Sequence, residues 1–156
     1  MLILGIDPGF TGAIALVDST AGKLISVVDM PTFKNKKGKV ETNHISLFNL
    51  LNPGSANVTA VLEFVASRPN QSSQSTFRFG QGYGAIEMAL AAHRIPIQYV
   101  TPSKWKAHFG LSKDKGVSLS LAIQRFPDQS DSFRRVKDNG RAEAALIALY
   151  GKEKLI

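Results

Sequence analysis

Four carboxylates stand at positions where an acidic side chain needs a partner. Asp7 ends an apolar run and precedes a glycine-rich turn, and Glu63 ends the apolar run VTAVL. Asp138 precedes a segment rich in alanine and leucine, and Glu143 lies within that segment. Burying a bare carboxylate is costly, so each must be paired, bound to metal or exposed at the end of an element. When several carboxylates occupy such positions in one basic protein, binding of divalent cations explains them better than separate ion pairs do.

The composition restricts a metal site to oxygen ligands. The chain has no cysteine and only three histidines, which excludes thiolate nucleophiles, zinc ribbons and iron–sulfur clusters. Oxygen ligands suit magnesium, manganese or calcium. Two such ions about 4 Å apart can activate a water and stabilise the leaving oxygen in phosphodiester cleavage. The carboxylates therefore predict metal-dependent phosphodiester hydrolysis.

The spacing of the last two carboxylates leaves one assignment open. Positions five apart on a straight helix differ by about 140°, so Asp138 and Glu143 would not share a face. Positions four apart do share one, which favours Asn139 as the neighbour of Glu143. Gly140 is expected to mark the start of the helix, so Asp138 would lie in the approach loop and could fold back toward Glu143.

The charge of the chain indicates a polyanionic partner. Over 156 residues, 19 Lys and Arg stand against 12 Asp and Glu, giving a net charge of +7 and a pI of about 9.8. Nucleic acid is the commonest such partner, although a charge of this size also serves solubility alone. The basic residues form clusters at Lys34, Lys36, Lys37 and Lys39; at Lys104, Lys106, Lys113 and Lys115; and at Arg134, Arg135, Lys137 and Arg141. The first cluster is predicted to be an exposed loop, either a solvated turn or a phosphate contact.

The pattern of apolar residues predicts one domain over residues 1–156, with a mixed sheet covered by helices. Turn residues separate the first three strands, as in a meander. The polar segment 66–84 is expected to enter a helix only in its second half, and Gly151 is expected to end the last helix. The predicted strands are 2–6, 13–18, 24–30, 58–62 and 95–100, and the predicted helices are 43–51, 80–93, 114–125 and 140–150, with a short helix across KWKAHF.

No apolar run reaches the length of about 18 residues that a membrane span needs. The apolar N-terminus is too short for a signal peptide and lacks a basic leader. We therefore expect no membrane association and a cytoplasmic location.

Four blocks in this order carry a family resemblance: GIDPGFTG, LEFVASRPNQSSQSTFRFGQGYG, VTPSKWKAHFGLSKDK and GRAEAALIALYG. Together they resemble the phage-type RuvC Holliday junction resolvases, and the match covers nearly the whole chain. The resemblance implies an RNase H-like fold, in which helices flank a five-stranded mixed sheet whose first three strands are antiparallel. It also implies a homodimeric endonuclease that uses Mg²⁺ or Mn²⁺, with two ions in each active site. Such an enzyme nicks two opposing strands of a four-way DNA junction and leaves 5′-phosphate and 3′-hydroxyl ends.

Carried over residue by residue, the resemblance implies that Asp7, Glu63 and Glu143 are catalytic metal ligands. Family members place another acid shortly before the last one. Only Asp138 qualifies here, and Asn139 occupies one of the alternative positions. Lys115 resembles a basic residue near the scissile phosphate, with a role in stabilising transition-state charge, and Lys113 is its competitor.

The resemblance also implies contacts to DNA. An aromatic wedge at the junction would be Phe77 or Phe79, in a loop that is mobile without DNA. Trp105 is predicted to be a packing anchor. The remaining predicted DNA contacts are Arg78, Lys104, Lys106, Lys113, Lys115 and Arg141.

Three other interpretations compete with this one. The GIDPGFTG turn also resembles the phosphate-binding hairpin of the sugar kinase and actin superfamily, whose members need a much longer chain. A related nuclease could prefer flaps, forks or three-way junctions, because dimer geometry sets substrate shape. A junction-binding protein with a dead site is the third, and the presence of all four carboxylates argues against it.

Overall fold

The computed structural model describes residues 1–52, 54, 57–66, 72–112 and 115–156, and for Lys115 it describes the backbone alone. The strands are β1 Leu2–Asp7, β2 Ala13–Asp18, β3 Lys23–Asp29, β4 Thr32–Lys34, β5 Val40–Thr42, β6 Val58–Glu63 and β7 Ile97–Val100. The helices are α1 His44–Leu50, α2 Ser73–Ala92, α3 Pro102–His108, α4 Lys115–Arg125 and α5 Asn139–Lys154, and 3₁₀ turns cover Pro127–Phe133 and Val136–Asp138. Among the described helices, none combines the length and the apolar character that a bilayer crossing requires.

Five strands form one mixed sheet in the order β3-β2-β1-β6-β7. The first three strands pair antiparallel, whereas β6 pairs parallel to both β1 and β7. The central strand β1 is covered on both faces, which is why its sequence is a continuous apolar run rather than an alternating one. The predicted mixed sheet with its antiparallel first three strands is confirmed.

Helices cover both faces of this sheet. Successive strand residues point to opposite faces, so Ile3 belongs to the same apolar cluster as Leu146 of α5, while Leu4 belongs to the cluster that contains Leu90 of α2. The α5 side also contains Trp105, which is completely buried. The two apolar clusters therefore fix α5 on one face of β1 and β6, and α1 and α2 on the other.

Helix α2 begins earlier than the sequence predicts. Ser72 caps it by accepting a hydrogen bond from the Ser75 backbone N–H at 3.2 Å, and the helix is continuous from Ser73 to Ala92. Its first turns are polar because they face solvent, and this polarity suggested a loop. The expectation that Phe77 and Phe79 lie in a mobile loop was wrong, since both are on this helix.

The basic segment after β3 forms an exposed turn, as predicted, and this turn joins two short strands of a hairpin. Strands β4 and β5 pair antiparallel from Thr32 with Thr42 to Lys34 with Val40. The Asn35 side chain holds the turn, because its Oδ1 accepts from the backbone N–H groups of Lys37 and Lys39 at 2.9 and 3.0 Å. An asparagine that closes its own turn in this way makes the lysine-rich tip an ordered structure.

The last helix is longer than predicted. It begins at Asn139 rather than Gly140 and continues to Lys154. Gly151 therefore lies within the helix and does not end it. A Cβ on Gly151 would lie 2.5 Å from Val61 Cγ2, so this glycine allows α5 to approach β6 closely.

Candidate active site

The carboxyl ends of β1 and β6 open onto a polar cleft. The two strands are parallel and Ile6 pairs with Leu62, so Asp7 and Glu63 emerge at the same edge of the sheet. Glu143 and Asn139 of α5 line the same cavity, which has a volume of about 540 Å³. The other lining residues are Pro8, Thr11, Val65, Phe79, Pro102, Lys106, Val136, Lys137 and Gly140. The fold thus brings together three of the four predicted carboxylates.

Trp105 holds one of these carboxylates in place. Its indole Nε1 donates a hydrogen bond to Glu63 Oε1 at 2.8 Å, and the Glu63 residue is only 7% exposed. The predicted packing role of Trp105 is borne out by its burial, but its role as a donor was not predicted. The hydrogen bond could have been anticipated from chemistry, because the N–H of a buried tryptophan usually has an acceptor.

Lys106, the next residue on α3, reaches the neighbouring carboxylate. Its ammonium lies 3.0 Å from Glu143 Oε1 and 5.0 Å from the centre of the Trp105 ring. Consecutive residues of α3 therefore engage the acids of β6 and α5. The lysine places a positive charge among carboxylates that would otherwise repel one another.

Asp138 lies behind the cleft and does not line it. Its side chain is 2% exposed and accepts from Arg135 through the guanidinium at 2.8 Å and the backbone N–H at 2.9 Å. The Arg135 guanidinium is the main reason that the pKa of the Asp138 carboxyl is held below its usual value. Arg141 Nη1 is 3.9 Å away on the first turn of α5. These contacts fix the chain where it enters α5.

Asn139 lines the cleft, whereas its neighbour Asp138 does not. Asn139 lies four residues before Glu143, on the same face of α5. Its Oδ1 is buried and has no hydrogen-bond partner within the described residues, which is rare for a side-chain oxygen. An amide oxygen beside carboxylates belongs to the donor set that Mg²⁺ and Mn²⁺ prefer. The residues that line the cleft therefore fit a hard divalent cation chemically.

The carboxylates are not gathered tightly around one point. Within the described residues, no three Asp, Glu or His side chains converge closely enough to hold an ion.

The remaining predicted DNA contacts lie in different surroundings. Phe79 lines the cleft, Phe77 is 66% exposed, and Lys104 is exposed at the start of α3. Arg141 forms a bidentate pair with Asp29, at 2.6 and 2.7 Å, which ties α5 to β3. Lys113 and the Lys115 side chain are outside the described residues, although α4 begins at Lys115.

The strand order and the positions of the acids together identify the type of fold. A five-stranded sheet in the order β3-β2-β1-β6-β7, flanked by helices, is an RNase H-like fold, and acids lie at the ends of its central strands and on its last helix.

The chain is similar to several known proteins in sequence or in fold. No protein-family model matches the chain. The crossover junction endodeoxyribonuclease RuvC of Prochlorococcus marinus (strain NATL1A) is 29% identical over 160 residues, covering 97% of this chain and 97% of that protein. The structure of T. thermophilus RuvC in complex with a Holliday junction substrate has a TM-score of 0.66 at 14% identity and covers 99% and 97% of the two chains. The fowlpox virus Holliday junction resolvase has a TM-score of 0.62 at 18% identity over 100% of both chains. This chain is RuvC-like in sequence and in fold, which confirms the resemblance.

The Trp105 contact gives a first testable expectation. Trp105→Phe keeps an aromatic ring in the core but removes the donor to Glu63. Losing a hydrogen bond that orients a metal ligand costs roughly 10- to 100-fold in metal affinity or activity. We therefore expect the Mn²⁺ concentration for half-maximal cleavage of a four-way DNA junction to rise by roughly 10- to 100-fold. Cleavage measured against Mn²⁺ concentration tests this, with thermal unfolding as the control for folding. An unchanged Mn²⁺ requirement would show that the hydrogen bond is irrelevant to the site.

The neighbours Asp138 and Asn139 give a second expectation. Asn139→Ala should weaken Mn²⁺ binding about tenfold with little change in unfolding, because Asn139 lines the cleft and its Oδ1 has no hydrogen-bond partner in the described part of the chain. Asp138→Asn should instead lower the free energy of unfolding by on the order of 1–3 kcal/mol, because it loses charged hydrogen bonds to Arg135. Mn²⁺ titration calorimetry and urea unfolding of both variants separate the two roles. The reverse pattern would make Asp138 the ligand.

Proposed function

We propose that this protein is a metal-dependent endonuclease that resolves four-way DNA junctions by paired phosphodiester hydrolysis, leaving 5′-phosphate and 3′-hydroxyl ends. One observation carries the proposal: Asp7, Glu63 and Glu143 line a single cleft at the carboxyl edge of β1 and β6 in a RuvC-like fold. The relatives are named as resolvases or crossover junction nucleases, and one was solved with its junction substrate.

Oxygen atoms of the chain would hold the cation. The ligands in this proposal are Asp7, Glu63, Glu143 and Asn139, with Asp138 as a positioning residue for α5. Bound Mg²⁺ or Mn²⁺, in our proposal two ions per site, would polarise the phosphodiester and lower the pKa of the attacking water. The buried Oδ1 of Asn139 supports this ligand set, because it has no hydrogen-bond partner in the described part of the chain.

The protein's own groups prepare the site for a polyanion. Trp105 fixes the orientation of Glu63, and Lys106 offsets the charge of Glu143. Lys106 lines the cleft, and with cations held by the acids it would be able to contact a DNA phosphate. Lys115, at the start of α4, is proposed to stabilise charge near the scissile phosphate.

A homodimer would place two such clefts on opposing strands. Met88 is 68% exposed on the second half of α2. One turn before it, a Cβ added to Gly84 would meet no atom within 4 Å, so this face of the helix is open. We propose that a second copy packs on it. Met88→Lys should shift the protein from dimer to monomer in analytical ultracentrifugation, and an unchanged sedimentation coefficient would exclude this face.

Cleavage specificity is the direct test of the proposed function. One preparation with Mg²⁺ or Mn²⁺ is given labelled four-way junction, three-way junction, flap and linear duplex DNA. We expect symmetrically placed nicks in the four-way junction and religatable ends. Stronger cleavage of flaps would instead indicate a related branched-DNA nuclease. The proposal fails if bound four-way junctions stay intact.

A further inference from the structure

A second groove lies beside the catalytic cleft, between the β4–β5 hairpin and the first turns of α2. It has a volume of about 470 Å³, within the range of roughly 300–1,000 Å³ that is usual for ligand sites. The lining residues are Phe10, Phe33, Asn35, Lys37, Lys39, Glu41, Thr42, His44, Gln74, Phe77, Arg78, Gln81 and Gly82. We call it the hairpin groove.

Aromatic rings and cations both line the hairpin groove. Phe33 and Phe77 are 47% and 66% exposed, so both rings are accessible on its walls. The Arg78 guanidinium lies 5.3 Å from the centre of the Phe10 ring. Lys37 and Lys39 add positive charge from the hairpin tip. Exposed aromatic faces next to cations are the features by which proteins bind unpaired nucleic acid strands, through base stacking and phosphate attraction.

The groove is built by ordered contacts. Asn35 Nδ2 donates to Glu41 Oε1 at 2.5 Å, which turns the carboxylate that lines the groove toward the hairpin itself. Arg78 donates to the Val40 carbonyl and so joins α2 to β5. Lys37 and Lys39 are presented by the turn that Asn35 closes. The backbone that carries these rings and charges is therefore ordered before any ligand arrives, which lowers the entropy lost on binding.

A small pocket lies between the groove and the catalytic cleft, which share no lining residue among the described residues. Phe79 lines both the cleft and this pocket, and Phe10 and Gly82 line both the pocket and the groove. Phe10 lines the groove three residues after Asp7. A strand leaving the cleft over the turn between β1 and β2 would therefore meet this pocket and then the groove.

We propose that the hairpin groove binds a short unpaired DNA strand, with bases stacked on Phe33 and Phe77 and phosphates near Lys37 and Lys39. This inference rests on the proposed function, since it assumes that DNA occupies the neighbouring cleft. Duplex DNA fits less well, because paired bases do not offer their faces to side chains.

The test measures binding of a fluorescein-labelled 12-nucleotide oligothymidylate by anisotropy, without divalent metal. Phe33→Ala should weaken binding by roughly 5- to 150-fold, the range expected for the loss of one base–aromatic stack. Lys37→Gln with Lys39→Gln should weaken binding and make it less dependent on salt. The matched controls are Phe48→Ala, a 43% exposed phenylalanine on α1, and Lys152→Gln with Lys154→Gln on α5. Equal losses in test and control variants would overturn the proposal.

Photocrosslinking of the wild-type protein makes the test independent of any variant's folding. An oligonucleotide carrying 5-iododeoxyuridine should crosslink to the peptides that contain Phe33 or Phe77. Crosslinks confined to the cleft peptides, or equal affinity for a 12-base-pair duplex, would reject a single-strand groove. Because no cleavage is measured, failure here is separate from failure of the nuclease proposal, which the junction assay decides.

Discussion

Asp7→Asn is expected to slow cleavage of a four-way junction by about 10³-fold or more, because metal-assisted catalysis supplies several kcal/mol and each 1.4 kcal/mol is about tenfold in rate. Asp7 ends the central strand and lines the cleft with Glu63 and Glu143. The substitution keeps the shape of the side chain but removes its charge. Junction binding should persist or improve, since one negative charge facing DNA is lost. Gel-shift and cleavage assays on the same preparation separate the two effects.

Asp128→Asn is the matched control for Asp7→Asn. Asp128 is a 72% exposed aspartate in a 3₁₀ turn, with Lys23 at 3.4 Å, so its replacement should leave both binding and cleavage unchanged. Undiminished cleavage by the Asp7 variant would remove Asp7 from the catalytic set. A wild-type protein that binds junctions without cutting them would instead favour the inactive junction-binding interpretation.

Gly5→Ala is expected to lower the free energy of unfolding by about 3 kcal/mol or more, comparable to the larger effects of overpacking a core. A Cβ at Gly5 would overlap the Ala144 carbonyl oxygen and lie 2.5 Å from Ala148 N and 2.7 Å from Ala148 Cβ. These atoms belong to the α5 backbone and to a short side chain, so they cannot move without shifting the helix. The displaced helix carries Glu143, so cleavage should fall along with stability.

Urea unfolding of Gly5→Ala and the wild-type protein measures this effect. The matched control is Ser26→Ala, at an exposed position on β3 of the same sheet, which should stay within about 0.5 kcal/mol of the wild-type value. A Gly5 variant as stable as the wild type would show that α5 does not need this close approach to the sheet.

The sequence alone determined the parts of this protein that depend on local pattern. The apolar runs ending at Asp7 and Glu63 predicted buried strands with acids at their ends, and β1 and β6 are those strands. Turn residues after Asp7 predicted the antiparallel pairing with β2. The four sequence blocks carried the RuvC-like resemblance, which the comparisons confirm. The strands and turns follow from hydrophobic period and turn chemistry, which neighbouring residues fix.

Only the tertiary structure decided how side chains are shared between distant elements. Trp105 and Glu63 are 42 residues apart in the chain, and no sequence spacing links them, yet they meet at 2.8 Å. The start of α2 was hidden because its exposed first turns have the polarity of a loop.

For the neighbours Asp138 and Asn139 too, only the tertiary structure decided which side chain lines the cleft. The spacing in the sequence allowed either Asp138 or Asn139 to accompany Glu143 in the site. In the structure, the Arg135 guanidinium holds Asp138 behind the cleft, and Asn139 lines the cleft. Which of two adjacent residues reaches a site depends on the position of the whole helix against the sheet. That position is set by glycines such as Gly5 and Gly140, where α5 meets the backbone of the β1 region directly.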